Sequence, residues 1–437
     1  MFRQEWDKMV HQWRKRTKEW GAHIGCAIYT PTGLPFFMEE ASRWFLPASN
    51  QKIWTTAVAI AELGLDYQWK TRAGLDHDGG LWLQGGGDPA FSFTEAKALG
   101  KELLRAGVTE ISGHVYVDDK AWKAPFWGEG WKWDERILGY AAPIHALNFD
   151  RNRMLFRADP SSNHPELTRQ SPCEWIRLEQ RVTWAEPGKQ TKLSIRRDNH
   201  HIYIKGELDR NHPEVFVAVK RGPHHFANGI VTTLKDMGLN IRNKTSILPY
   251  YFAEDLPLLW EHRSPPLRKL LAEVNGDSDN LIAEVLLKTL GNGNIEKGRV
   301  RVHHCIERWG LTPHPSYRDG SGLSVHNLAS PEQTVQLLHY LYKELPWAPE
   351  LINSFASYGR SGTLQERALI LPKGVEIKAK TGTLRDVKNI SGYISVEGEC
   401  KWIFSLLINH LLHEQDGEWL QDQLLAMLID WQGRRGS

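Results

Sequence analysis

The sequence predicts an α+β protein, a body of helices and antiparallel strands interrupted by a large insertion. Three observations lead there. Helical patterning dominates from 267 to 345. The C-terminal part then gives three strand-like runs, "VEIKAKTGTL", "NISGYISVEG" and "CKWIFSLLINH", with "VEGEC" as the turn of an antiparallel hairpin between the last two. Between about 150 and 212 both patterns give way to short strands, polar loops and prolines, as in "RADPSSNHPE", which reads as a β-rich insertion.

Taken in order, the first twenty residues read as an amphipathic helix with Trp6, Met9, Val10 and Trp13 near one face. Such a face suits packing on the body or lying on a membrane surface. "AHIGCAIYT" reads as a strand and "PTGLPF" as the turn into the next. A helix opens near Ser49 in "PASNQKIWTTAVAI". "GLWLQGGGDPAF" is a short strand ending in a glycine-rich corner, "AKALGKELLRAG" an amphipathic helix, and "GHVYVDD" a strand. After the insertion, "FANGIVTTLKDMGL" returns to helix, and "GEWLQDQLLAMLIDW" closes the chain as another.

Composition excludes several classes. The 437 residues suffice for two or three domains, and 41% hydrophobic with 24% charged residues is an ordinary soluble balance. A net charge of +2 leaves no electrostatic footprint for nucleic acid. Cys26, Cys173, Cys305 and Cys400 lack metal-ligand or disulfide-framework spacing and read as separate thiols. The N-terminus as written has no apolar core of a secretory signal, and no run reaches the ~18 apolar residues of a membrane span. His200–His201, His224–His225 and His303–His304 are adjacent pairs, a poor geometry for holding a metal. "GGGDP" lacks the Lys-Ser/Thr of a phosphate loop, and "GNGNIEKG" follows a helix as a C-cap would, so no nucleotide cofactor is implied.

Three short stretches carry chemistry. Ser49 and Lys52 stand one helical turn apart; Ser278, Asp279 and Asn280 precede an apolar helix; Lys380, Thr381 and Gly382 end a strand. Each has an ordinary structural reading, as a helix cap, a solvated lysine or a strand end. Together, in this order, S-x-x-K, S-D-N and K-T-G form the signature of serine β-lactamases and penicillin-binding proteins. A serine hydroxyl needs a base within hydrogen-bond reach, and positions i and i+3 share a helix face. Burial and a second cation such as Lys380 would lower the Lys52 pKa in the direction a base requires. Ser278 is suited to relaying a proton to a leaving amine and Asn280 to holding a substrate amide. Lys380, Thr381 and Thr383 offer a cation and hydroxyls to a terminal carboxylate, and Gly382 a close approach for substrate backbone.

With "PASNQK", "GGGDPAF", "SDNLIAEVLLKTLG", "DGSGLS", "SGTLQER" and "KAKTGTL", the chain resembles, over about 22 to 412, a known family. It is the low-molecular-mass class C penicillin-binding proteins, D-alanyl-D-alanine carboxypeptidases/endopeptidases of the DacB type (peptidase family S13). The 229 residues from Ser49 to Ser278 match the family's two domains inserted between the first and second motifs. The resemblance implies a penicillin-binding/serine β-lactamase-like domain from 1–72 and 256–437, its antiparallel sheet covered by helices. It also implies an inserted α/β domain from 73–150 and 213–255, with a β-rich domain nested at 151–212.

By motif match, Ser49 is the acylated nucleophile and Lys52 its base, while Ser278, Asn280 and Lys380 complete the relay and clamp. The backbone N–H groups of Ser49 and Thr383 would form the oxyanion hole. The implied reaction is hydrolysis of the terminal D-Ala-D-Ala bond of peptidoglycan stem peptides, or of cross-links between them, through an acyl-enzyme. β-Lactams would be covalent inhibitors, and no metal or organic cofactor is implied. The family is normally exported to the cell wall or periplasm, which sets that expectation although the chain as written begins without a signal. "WGEGWKWDERILGYAAPIHALN" resembles a segment that approaches the stem peptide's free amine in some members, making Asp134 with Trp131 candidates; an aromatic packing loop is the alternative. Two other readings compete. A class A β-lactamase would need a deacylating base, for which Glu186 in "AEPGKQ" lacks the expected neighbour. A penicillin-binding fold kept only as a wall-peptide binding module would have no use for both lysines.

Overall fold

The computed structural model describes residues 2–435 apart from 171–175, 199–200, 243–246 and 250–255. Its centre follows from the C-terminal strands. "WIFSLLIN" is almost continuously apolar, the pattern of a strand covered on both faces, and Trp402 to Asn409 are all buried. This strand, Glu399–Asn409, pairs antiparallel with Val387–Val396 on one side and His23–Tyr29 on the other. The full six-stranded antiparallel sheet runs Ala356–Ser357, Val375–Leu384, Val387–Val396, Glu399–Asn409, His23–Tyr29, Pro35–Glu39.

Helices cover both faces. On one, α1 (Phe2–Trp20) and α10 (Glu414–Arg435) bury Trp6, Met9, Val10 and Trp13 with Leu420, Leu424 and Leu428 against Cys26, Ile28 and Phe404. The N-terminal amphipathic helix therefore packs on the body. On the other face lie α2 (Gln51–Leu63), α5 (Leu267–Asn275), α6 (Asn280–Leu290), α7 (Ile295–Arg308), α8 (Pro331–Glu344) and the short α9 (Ala348–Asn353). Ile53, Ala57, Val285 and Leu338 meet Ala27, Tyr393 and Ile403 there. Fully burying such a side chain contributes about 1.5–3 kcal/mol, so both faces hold the sheet firmly. As expected, "GNGN" ends α6, with Gly291 at its C-cap.

Two lobes interrupt this domain between α2 and α5. The first is a five-stranded sheet ordered Ile247–Pro249, Val115–Asp118, Leu81–Gly85, Lys70–Leu75, Trp260–Arg263. Helices α3 (Phe93–Arg105) and α4 (Gly222–Asp236) pack on it through Leu99, Leu103, Phe226 and Ile230. The second is a small β-lobe. Its sheet Lys192–Arg197, His201–Leu208, Arg177–Trp184 shares one core with the sheet Glu214–Ala218, Arg153–Arg157, Thr168–Arg169. Pairing of Lys70–Leu75 with Trp260–Arg263 carries the α/β lobe outward past 73 and 255, and pairing of Glu214–Ala218 with Arg153–Arg157 carries the β-lobe past 212.

Cys26, Cys305 and Cys400 are free thiols, and Cys173 lies outside the described residues, as does His200. Glu186 stands exposed in a β-lobe turn, paired with Lys189 at 2.5 Å, so it serves no cleft. Among the described residues no helix is long and apolar enough to cross a membrane, and no His/Cys/Asp/Glu cluster is arranged to hold a metal ion.

Candidate active site

Ser49 lies in a 3-10 turn, Ala48–Asn50, that leads into α2. It caps nothing; its hydroxyl is turned to Lys52. The turn is tied to the sheet on both sides. Leu46 N–H donates to Asn409 Oδ1 (2.8 Å), Asn389 Nδ2 donates to Leu46 O (2.9 Å), and Asn50 Nδ2 donates to Ser391 Oγ (2.7 Å). These ties sit within one residue or two of a strained φ of 46° at Ala48, and they hold it.

Lys52, in the first turn of α2, is completely buried. Its Nζ lies 2.9 Å from Ser49 Oγ, 2.6 Å from Asn280 Oδ1 and 2.8 Å from Ser321 O. The amide oxygen and the carbonyl only accept hydrogen bonds. A neutral amine would give its two N–H groups to them and keep its lone pair for the Ser49 O–H. Burial pushes the Lys52 pKa down to about 8, against the opposing pull of Asp319, then Glu284, then Asp279. Burial, not Lys380, therefore leads the shift the sequence anticipated.

The second motif divides its labour. Asp279 is the N-cap of α6, its Oδ1 accepting from Ile282 N–H at 2.9 Å. That frees Ser278, whose φ of 67° turns it out of the helix, to meet Lys380 Nζ at 3.0 Å. Asn280 bridges the cleft wall, with Oδ1 on Lys52 and Nδ2 donating to Tyr140 O at 2.9 Å. One Asn280 N–H remains for a substrate amide.

Lys380 is buried on the strand Val375–Leu384 and also donates to Thr381 O at 2.9 Å. Burial first, and then the Lys52 charge, hold its pKa well below the ordinary lysine value. The neighbouring strand pairs only with Lys378 and Ala379, so the edge is open from Lys380 onward. Thr381 Oγ1 lies 2.6 Å from Thr363 Oγ1 of the "SGTLQER" segment, and Thr383 is exposed. Gly382 also has a part in the packing of the fold. A Cβ there would lie 2.8 Å from Pro47 O and 3.1 Å from Ser49 N. The missing side chain admits the turn that carries Ser49.

Supports that the motifs do not announce lie behind the lysines. Glu284, buried in α6, accepts from Gly320 N–H (3.0 Å) and Ser321 N–H (2.8 Å), fixing the peptide whose carbonyl holds Lys52. Burial, then Asp319, pushes its pKa up to about 8. Asp319 accepts from Gly322 N–H, Ser324 N–H and Asn327 Nδ2 at 2.9, 2.7 and 2.7 Å, shaping the "DGSGLS" loop. A Cβ on Gly322 would strike Ala48 O, so the loop closes directly on the nucleophile turn. The available signals were an acid amid the apolar face of "NLIAEVLLKTL" and another heading a glycine-rich loop.

The inserted segment reaches the same place. Trp131 is 7% exposed, and its Nε1–H donates to Asp319 Oδ2 at 2.8 Å. Its indole thus fastens the segment to the "DGSGLS" loop. Asp134 stands exposed on the 3-10 turn Trp133–Ile137, beside Tyr140, whose phenol is pushed up by burial and then by Glu135 and Asp134. Since Tyr140 O is bonded to Asn280, Asp134 borders the cleft without joining the lysine–serine cluster.

The comparisons with known proteins agree with this geometry. The chain is 29% identical over 395 residues to the D-alanyl-D-alanine carboxypeptidase DacB of Haemophilus influenzae, covering 85% of this chain and 81% of that one. It is 27% identical over 423 residues to the D-alanyl-D-alanine carboxypeptidase of Actinomadura sp., covering 89% and 78%. The crystal structure of penicillin binding protein 4 (dacB) from Haemophilus influenzae superposes with a TM-score of 0.76 at 24% identity, over 94% of this chain and 98% of that one. That protein has also been solved complexed with a β-lactam. The fold is the penicillin-binding one expected. Matched over residues 7–430, the chain belongs to the D-Ala-D-Ala carboxypeptidase 3 (S13) family.

Proposed function

We propose that this protein is a serine D-alanyl-D-alanine carboxypeptidase that cleaves peptidoglycan stem peptides, and cross-links of the same chemistry, through an acyl-enzyme on Ser49. The observation that carries the reading is the pair of buried lysines, each on its own serine: Lys52 on Ser49 and Lys380 on Ser278. A module that only bound wall peptides would gain nothing from burying two cations so close together, since each burial is costly.

Ser49 Oγ attacks the carbonyl carbon of the scissile amide while neutral Lys52 takes its proton. The Ser49 and Thr383 N–H groups receive the developing oxyanion, each such donor contributing ~10²–10³ in rate. Ser278, bonded to Lys380, passes a proton to the leaving amine, and the C–N bond breaks to leave the acyl-Ser49 ester. Water then attacks the ester with Lys52 again as base. Lys380, Thr381 and Thr383 hold the terminal carboxylate, and Asp134 faces the free amine of the stem peptide. The substrate places the protein outside the cytoplasm, at the wall. β-Lactams acylate the same serine.

The test is incubation with a fluorescent penicillin beside Ser49→Ala, each followed by intact mass spectrometry. A covalent adduct on the parent protein that is lost in Ser49→Ala is expected. No adduct on folded protein at long times and high drug concentration would overturn the enzymatic reading in favour of a binding module.

A further inference from the structure

A second cavity, of about 390 Å³, opens where the α/β lobe meets the β-lobe, away from the lysine–serine cluster. That volume is within the usual range of small-molecule sites. Its walls include Phe93 and Phe216, and Asp150, Arg153 and Gln170 bring polar groups to it.

The two charged groups are unusual. The Arg153 guanidinium lies 4.2 Å over the Phe216 ring, and among the described residues it forms no hydrogen bond and no ion pair. The Asp150 carboxylate also has no hydrogen-bond or ion-pair partner among the described residues; its backbone N–H donates to Phe91 O at 3.0 Å and its carbonyl accepts from the Arg153 N–H. The Arg153 charge feels Asp279 first, then Asp150 and Glu273, yet it meets none of them as an ion pair among the described residues. Partly buried charges of opposite sign normally pair directly, because desolvation penalises leaving them apart.

The backbone keeps them apart at a cost. Asp150, Arg151 and Asn152 are three consecutive non-glycine residues with φ of 45°, 57° and 52°. A single left-handed residue is uncommon, and three in a row persist only where the surroundings hold them. Asn152, fully buried, does so by donating to Pro143 O (2.8 Å) and Asn148 Oδ1 (2.6 Å). Arg151, which also lines the cavity, is engaged with Pro89 O and Glu273.

We propose that this cavity is a binding site for a free α-amino acid with an apolar side chain. Its carboxylate lies against Arg153, its ammonium against Asp150, and its side chain between Phe93 and Phe216. The ligand supplies to each charge the partner that the strained turn withholds. Burial pushes the Asp150 pKa up to about 6, and a bound ammonium would draw it back down. The inference stands independently of the proposed hydrolytic activity.

Calorimetric titration of the full-length protein with D- and L-phenylalanine tests it. Saturable binding is expected, weakened roughly tenfold or more by phenylalanine amide, which lacks the carboxylate, and by N-acetylphenylalanine, which lacks the amine. Arg153→Gln should erase the difference between acid and amide, and Asp150→Asn the difference between free and acetylated amine. Arg153→Lys, which keeps the cation, should retain binding and so separates loss of the site from loss of the fold. No saturation up to roughly 10 mM, where a Kd of about 1 mM would be evident, overturns the proposal. Binding indifferent to Arg153→Gln in a protein that melts normally overturns it equally.

Discussion

Around Lys52, on the helical side of the cleft, three acceptors surround the amine and three acids, Asp319, Glu284 and Asp279, pull its pKa back up. Around Lys380, on the strand side, there are two acceptors, a single opposing acid in Asp277, and an open strand edge. Both amines are buried, so burial alone does not distinguish them. What differs is where the compensating charge resides. For Lys52 the protein supplies it, leaving the pKa near about 8, within reach of a neutral amine. For Lys380 the protein supplies little, and an anionic substrate end completes the site. In the proposed mechanism one lysine exchanges a proton and the other receives a carboxylate.

The sharpest way to break this contrast is Lys52→Met, which keeps the buried volume and removes the base. Acylation by penicillin, followed by stopped-flow fluorescence, should slow by ~10³-fold. A loss under about tenfold would assign the proton to another group. The pH profile comes next. Since the neutral amine is the active form, the acylation rate should rise about tenfold per pH unit below about 8 and level off above it. Stability should follow the same group. Between about 8 and the ordinary lysine pKa the folded chain binds fewer protons than the unfolded one, so unfolding free energy rises with pH across that window. Lys52→Met should reduce that rise in urea denaturation, with the remainder coming from Lys380 and Lys288, whose pKa values burial also lowers.

Lys380→Met should act on recognition instead. Losing a charge-assisted hydrogen bond costs about 1.5–3 kcal/mol, or roughly 10- to 150-fold in kcat/KM on a peptide ending in a free carboxylate. A peptide amidated at that end should lose far less. Equal losses on both peptides would return Lys380 to proton transfer and erase the contrast. Glu284 tests the support on the Lys52 side. Glu284→Ala leaves the N–H groups of Gly320 and Ser321 without their acceptor, at about 1–3 kcal/mol of stability by urea unfolding. Glu284→Gln, which keeps an acceptor oxygen, should recover most of it.

The same contrast marks what was legible in the sequence. Ser49 with Lys52 and Ser278 with Asn280 are near neighbours in the chain, and a helical turn or cap fixes their geometry locally. Strands such as Glu399–Asn409 were legible from continuous apolar patterning. The supports are long-range and have no local signature. Asp319 meets Trp131 across 188 residues, and periodicity does not say which indole will find which acid. The lobe edges are long-range in the same way: Lys70–Leu75 and Trp260–Arg263 meet only by pairing with each other. The internal close approach that Gly382 permits to Pro47 and Ser49 likewise has no local signature.

The smallest expected effect comes from the residue that links both sides. Asp279 caps α6, approaches Arg151 at 3.5 Å, and adds to the negative field at Lys52. Asp279→Ala removes the cap, worth about 1 kcal/mol of stability. It also removes a charge that favours the protonated amine, so the midpoint of the acylation profile should move to lower pH. The two readouts separate structure from electrostatics. Asp279→Asn keeps a capping oxygen without the charge and should restore stability while leaving the midpoint low. If the midpoint instead returned with the cap, the Lys52 pKa would depend on how α6 is seated and not on the acids that surround it.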